Sequence, residues 1–477
     1  MFCIRTMLLA CETLSNETLD FSIDTLIQRF SWPTWLKLSH QMNGIERSTV
    51  HAYLSLKLHE KLLPLSSPRL LALYEECVEV IARMELRGMN VDGHHCQKLI
   101  DRILKSMSMI EKEVYQLSGI PFNLSSSADT AKILYTKLRL NVPKNATITT
   151  RHFSTNSAVL MQIPHPICEK IINWRKLEHS LKCLRGLISA VNKDSGRIHT
   201  EFDHITASGG RILTSNPNLQ IVPKQCIVED FSVRSVFFAQ QGRTFLAADY
   251  SQLELRVLCQ LSGDEQLMNL LNENSTIDIF ERMAERFSTN SNAKCQIDRS
   301  KAKQLSYGII YGMGAETLSQ ELNLSKIEAE ELISNFFSEF PKVKEWIGLS
   351  VDDCRKLGKT RTFLGKLRNF EMSIMSDSLR DRSQAERQTV NYIIQGTASE
   401  IFKRALIAVD KRIRTHDAYL IMQMHDEVII EAKIASVDRV LTVVKAAMEE
   451  ACPEFQVKLP VKMTIGRNWG AMKPVIL

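Results

Sequence analysis

The chain has 477 residues, 44% of them hydrophobic and 24% charged, enough for roughly two to four domains with substantial cores and too ordered a composition for a largely disordered protein. Its net charge of +6 permits a polyanionic partner without demanding one. No run approaches ~18 uninterrupted apolar residues, which excludes a membrane-spanning helix. Eleven scattered cysteines without a CxxC pair exclude a disulfide framework or a zinc ribbon and fit a reducing compartment.

The first stretch, Met1 to Glu12, has one Arg and a short apolar run and reads as neither a signal nor a transit peptide. Apolar spacing predicts a helix over 68–91 that stops at Gly88, and a second from about Gln97 to Leu117, closed by Gly119 and Pro121. His94, His95 and Cys96 lie between them with no second ligand pair nearby and read as loop, not metal site. Residues 122–165 are loop-rich with a helix near 127–138, and 166–192 are helical. The stretch 170–197 carries Lys170, Arg175, Lys176, Lys182, Arg185, Lys193 and Arg197 against Glu178 and Asp194, either a solvated face or a grip on a phosphate backbone.

From residue 198 strands and helices interleave. Thr244 to Tyr250 reads as a buried strand ending in a carboxylate, and Gln252–Leu261 as a helix. Two long helices are predicted at 299–312 and 383–406. Strands at Tyr419–Met424 and Val428–Ala432 flank a tight connection through His425, Asp426 and Glu427, and Val461–Ile465 alternates like a further strand. The pattern predicts an α+β class with one antiparallel sheet.

Four groups of residues carry chemistry. Asp249 leaves a hydrophobic strand, where a carboxylate is costly unless solvated, hydrogen-bonded or bound to a cation. Asp426 and Glu427 sit at a hairpin tip. Each alone fits an ordinary cap or turn; together, acids at strand ends of one sheet could hold two Mg²⁺ ions. In the third group Arg299, Lys303, Tyr307 and Tyr311 recur every four residues on one predicted helix, cations first and aromatics after, the order in which a nucleotide presents phosphate, sugar and base. In the fourth, Arg387, Asn391 and Gln395 repeat the spacing, and Arg211 adds another long donor. Such donors could test base-pair geometry in the minor groove, whose acceptors are nearly the same for every pair.

Asp249–Arg256, Arg299–Gly314 and His425–Glu427 resemble, in order and wording, the three motifs of family A DNA polymerases, and the resemblance extends over about residues 60–477. The wording is most similar to the branch that holds polymerases theta and nu. The resemblance implies a right-hand fold, with palm, fingers and thumb, that extends a primer on a DNA template from deoxynucleoside triphosphates. It places two Mg²⁺ ions, with Mn²⁺ as a substitute, on Asp249, Asp426 and the Tyr250 backbone, with Glu427 a supporting acid. It assigns Arg299 and Lys303 to the triphosphate, with Lys303 an acid toward the leaving pyrophosphate. Gln252, Glu254 and Tyr307 fall in the nucleotide site, Glu254 against a ribose 2′-hydroxyl and Tyr307 against the sugar. Tyr311, Arg211, Arg387, Asn391, Gln395 and His425 fall on template and primer.

By the same resemblance, 1–65 is a remnant of an inactive 3′–5′ exonuclease, since Arg5 stands where an acid would be needed, and the gene product extends upstream. Residues 66–197 form a helical region including the thumb, 198–260 and 405–477 the palm, and 261–404 the fingers. Phe280 replaces a phosphate-contacting His, Gly365 to Phe370 lacks a family proline, and 223–245 lacks a long insertion. The implied setting is nuclear repair synthesis, in end joining or lesion bypass, with no membrane partner. A silent DNA-binding scaffold, a single-subunit RNA polymerase and a nuclease are the rival readings; intact acids and cations weigh against the first, Glu254 against the second, and the lack of the needed acids in the N-terminal region against the third.

Overall fold

The computed structural model describes residues 67–475 apart from 144–145, 148–151, 205, 225–230, 274–276 and 290–296. The expected exonuclease remnant over 1–65 lies outside the described residues.

The described residues open with α1 (Pro68–Arg87), which buries Leu70, Leu71, Leu73, Cys77, Val80, Ile81 and Met84 and ends at Gly88. His94 to Cys96 belong to the first turn of α2 (Gly93–Ser118), because Asp92 caps it by accepting from the His95 amide at 2.8 Å; they are helical, where the sequence suggested loop. A short helix and a π-turn over 127–137 follow, then α3 (Pro166–Ala190), which packs along α2.

The sheet is built from β1 (Arg243–Tyr250), β2 (Ala418–Met424), β3 (Glu427–Lys433), β4 (Val461–Gly466) and β5 (Lys473–Val475), all antiparallel in the order β5-β4-β1-β3-β2. Central β1 is apolar on both faces from Phe245 to Ala248, as a strand covered on both sides must be, and only at Asp249 does it meet solvent. Tyr250 turns to the covered face, where its hydroxyl donates to the Met448 carbonyl in α8 (Val437–Glu449), and Asp249 therefore projects from the other. Each fully buried Phe245 or Ile430 side chain contributes about 2 kcal/mol through the area it removes from water.

Between β1 and β2 lie α4 (Leu253–Ser262), α5 (Ile279–Thr289), α6 (Arg299–Ile310) and α7 (Leu379–Ile413), with further helices over 315–357. α6 ends at Ile310, so Tyr311 is its cap and not, as the spacing suggested, a fourth member of the stripe within the helix. α7 runs 35 residues, well beyond 383–406, because Ser378 caps its start and nothing interrupts it before Asp417. Boundaries drawn from sequence at 197, 260 and 404 cut through a strand, α4 and α7 respectively. Among the described residues three two-stranded ribbons accompany the main sheet, more than the single sheet expected.

Candidate active site

The acids meet as the pairing of β1 with β3 dictates. Asp249 is directly opposite Glu427, and the Tyr250 amide donates to the Asp426 carbonyl at 3.3 Å, so the end of β1 abuts the hairpin tip. The tip is a two-residue turn, His425 and Asp426; Glu427 already belongs to β3. His425 at φ +52° and Gln252 at φ +53° both adopt the left-handed backbone that L side chains avoid, one beside Asp426 and one at the start of α4. Two such residues flanking the acids mark backbone held in place by its surroundings.

Burial is the largest influence on all three acids and raises each above the ordinary carboxylate range. Asp426 goes up to about 7, with Glu254 and Asp249 adding repulsion and Arg211 opposing it. Glu427 also goes up to about 7, with Asp249 adding to it and Arg234 and Lys224 opposing. Asp249 is raised despite Lys462 and Lys224. This group of acids has too little positive charge around it, the environment that accepts a divalent cation. Among the described residues no group of three or more His, Cys, Asp or Glu side chains is gathered to hold a metal ion. A few carboxylates of this kind suit an ion that takes its remaining ligands from water and phosphates.

α6 faces this cluster. Asp298 caps it by accepting from the Lys301 amide at 2.8 Å, and Ala302, Leu305, Ser306 and Ile309 bury its inner side. Exposed Arg299 pairs with Asp278 at 2.9 Å, and exposed Lys303 lies 6.0 Å from the Tyr307 ring centre. Two anions, Asp298 and Asp278, therefore already serve this helix start. Tyr307 is held between Phe280 and Tyr311, at centroid distances of 6.2 and 6.3 Å. Its hydroxyl is pushed up to about 12, first by burial and then by Glu254, Tyr311, Asp426 and Asp249, so these groups converge on it.

Glu254 joins the two halves. Buried in the first turn of α4, it accepts from Arg211 and, at 3.0 Å, from the Tyr311 hydroxyl, which also bonds Gln395. Gln423 and Gln220 both donate to the Ile212 carbonyl at 2.9 Å, fixing the segment that carries Arg211. Gly312, at φ +65°, lets the Arg387 stem come so close that a Cβ there would lie 2.7 Å from its Cγ. Arg387 is itself exposed, with Asn391 and Gln395 half-buried further along α7.

Within the basic stretch along and just after α3, Arg175 and Arg197 are consumed inside the protein, whereas Lys182, Arg185 and Lys193 are exposed. Arg175 donates to Leu124, Thr155 and Thr130; Arg197 donates to Arg87, Gly88, Asn90 and Glu431; Lys170 pairs with Glu113 and Lys182 with Glu178. Two residues of the site had no signal of their own in the sequence: Asp278, the partner of Arg299, and Lys462, directly opposite Asp249 on β4.

The family model for DNA polymerase family A matches residues 93–471. The chain belongs to DNA polymerase family A. Its polymerase relatives include DNA polymerase I of Thermus filiformis, 36% identical over 432 residues, covering 89% of this chain and 51% of that one. DNA polymerase theta of Caenorhabditis elegans is 33% identical over 437 residues, 90% of this chain and 26% of that one. The chain thus spans about half the length of the bacterial polymerases it matches. Among solved structures, the polymerase domain of Pol1 from M. smegmatis, in complex with DNA primer-template and dNTP, superposes with a TM-score of 0.84 at 27% identity, over 98% of this chain and 82% of that one. The right-hand polymerase fold is therefore the fold of this family A chain, and no helix among the described residues is long and apolar enough to cross a membrane.

Proposed function

We propose that the chain is a template-directed, DNA-dependent DNA polymerase that adds deoxynucleotides to a primer 3′ end. The observation that supports this most is a convergence: the under-neutralised Asp249 and Asp426 pair faces the cation-and-tyrosine stripe of α6, with Glu254 between them. In this reading 198–260 and 405–477 make the palm, 261–404 the fingers, and α2 with α3 the thumb, the joins running along α4 and α7 without interrupting them.

Asp249 and Asp426, with the Tyr250 backbone, would hold two Mg²⁺ ions, Mn²⁺ substituting. Bound there, the ions would neutralise phosphate charge and favour the ionised 3′-hydroxyl. The primer 3′ oxygen attacks the α-phosphorus as the bond to the bridging oxygen breaks and pyrophosphate leaves. Arg299 and Lys303 hold the triphosphate, and Lys303 can pass a proton to the leaving oxygen. Tyr307 and Gln252 bound the sugar. Glu254, fixed by Arg211 and Tyr311, presents a buried carboxylate that disfavours a ribose 2′-hydroxyl. Arg211, Arg387, Asn391, Gln395 and His425 line the nascent pair. With its hydroxyl on Glu254 and its ring on Tyr307, Tyr311 must move before it can stack on a template base.

Repair synthesis, in end joining or lesion bypass and in the nucleus, is the setting the motif likeness to the theta and nu branch supports. Glu254 speaks against an RNA polymerase, and the intact acids and cations against a silent scaffold. Primer extension by the purified chain, with deoxy- or ribonucleotides and with Mg²⁺, Mn²⁺ or chelator, tests the reading. Metal-dependent extension with deoxynucleotides alone is expected; DNA binding without extension would overturn it.

A further inference from the structure

The open face of the sheet carries a row that runs across three strands. Glu427 on β3, Asp249 on β1 and Lys462 on β4 are register partners in turn, so their side chains stand on one face with Cβ atoms about 5 Å apart. Lys462 is exposed, and its ammonium makes no ion pair or hydrogen bond to any described residue. Its charge nonetheless reaches in two directions, lowering Asp249 on the sheet and Asp278 at the start of α5. Since Asp278 is the carboxylate that holds Arg299, Lys462 lies between the acid end of the sheet and the first cation of α6. Facing that gap on α5, Phe280 is buried with its ring against Tyr307.

We propose that Lys462 is a third cationic contact for the triphosphate of the incoming nucleotide, supplied by the sheet and not by α6. The inference rests on the polymerase reading above and deepens it. A triphosphate that bridges the Asp249 site and Arg299 passes within reach of this ammonium. The two cations of α6 each have a neighbour to share: Arg299 with Asp278, and Lys303 with the Tyr307 ring. A flexible, compact ammonium suits a phosphate tail that changes position as pyrophosphate departs.

Single-turnover incorporation of one deoxynucleotide into a bound primer–template, with titrations of dNTP, pyrophosphate and Mg²⁺, tests it. Lys462→Ala is expected to weaken dNTP about tenfold and pyrophosphate in the reverse reaction similarly, the size of one charge-assisted contact. The incorporation rate at saturation, primer–template affinity and Mg²⁺ half-saturation should stay within about threefold, and Lys462→Arg should restore nucleotide affinity to within the same margin. If Lys462 serves only to neutralise Asp249, Lys462→Ala will leave nucleotide affinity unchanged and lower the Mg²⁺ requirement, which would overturn the proposal. A fall in primer–template affinity in step with nucleotide affinity would overturn it equally. Failure of the wild-type chain to extend a primer would instead defeat the polymerase reading, so the two failures are distinct.

Discussion

The sheet end and α6 face each other across the cleft with opposite arrangements of charge. On the sheet, burial raises Asp249, Asp426 and Glu427 above the usual carboxylate range, and repulsion from Asp249 helps push Asp426 and Glu427 up to about 7 despite the cations nearby. On α6 the cations are not strained in this way: Arg299 has its carboxylate and Lys303 its aromatic ring. One side of the cleft is short of charge compensation and the other is provisionally satisfied. A ligand that brings both divalent cations and phosphate can serve each side at once, which neither could supply to the other directly.

The strongest way to break this contrast is to remove the deficit. Asp426→Ala or Asp249→Ala should lower nucleotide addition by at least about a thousandfold while primer–template affinity changes little. Retained synthesis in single-turnover assays would refute the assignment of these acids. Next, Glu254→Ala removes the carboxylate that joins the two sides. Its ratio of ribo- to deoxynucleotide incorporation should rise roughly ten- to hundredfold, the range one steric contact in a pocket can supply, and an unchanged ratio would reject the sugar-gate role. A smaller effect is expected on the satisfied side. Asp278→Asn keeps the acceptor for the Phe280 amide but frees Arg299, so dNTP affinity should improve about threefold, the worth of a partly exposed ion pair. Weaker nucleotide binding by this variant would mean that Asp278 positions Arg299 instead of competing for it.

A prediction of a different kind, on stability and not on synthesis, lies beneath the cleft. His204 is buried, edge-on to Tyr74, with neither ring nitrogen hydrogen-bonded. Burial first and the nearby Lys403 second push it down to about 3, with Lys366 adding and Asp203 opposing. An unfolded His takes its proton near 6.5 and the folded one does not until about 3, so stability should fall as pH drops through that window. The loss approaches about 1.4 kcal/mol per pH unit. Denaturant midpoints measured across this range should show a flatter slope for His204→Phe; an unaltered slope would mean the ring is charged in the fold.

The site was legible where chemistry and spacing coincide. Asp249 at the end of an apolar run, Asp426 between two strands, and the fourfold spacing of Arg299, Lys303 and Tyr307 all lie where the sequence suggested. What was not legible depends on partners remote in sequence. Lys462 is an ordinary outward residue of an alternating strand until register sets it against Asp249. Asp278 has no meaning until α5 brings it to Arg299. The basic residues near α3 looked available because a sequence counts charges but does not show that Arg175 and Arg197 are consumed by carbonyls and carboxylates of the fold. Tyr311 kept the helical spacing, yet the helix stops one residue short of it.

The unbroken course of α7 has a mechanical consequence. At ~1.5 Å per residue its 35 residues form a rod of about 52 Å. Arg387, Asn391 and Gln395 occupy its first half. In the second half, buried Lys403 grips the carbonyls of Gly210 at 2.7 Å and His204 at 3.1 Å, just ahead of Arg211. Further on, Asp410 is clamped by Arg83 and Arg414. A tilt of this rod would carry Arg387, Asn391 and Gln395 along with the segment that holds Arg211, so the relative placement of these long donors is set by a beam anchored through buried contacts inside the protein.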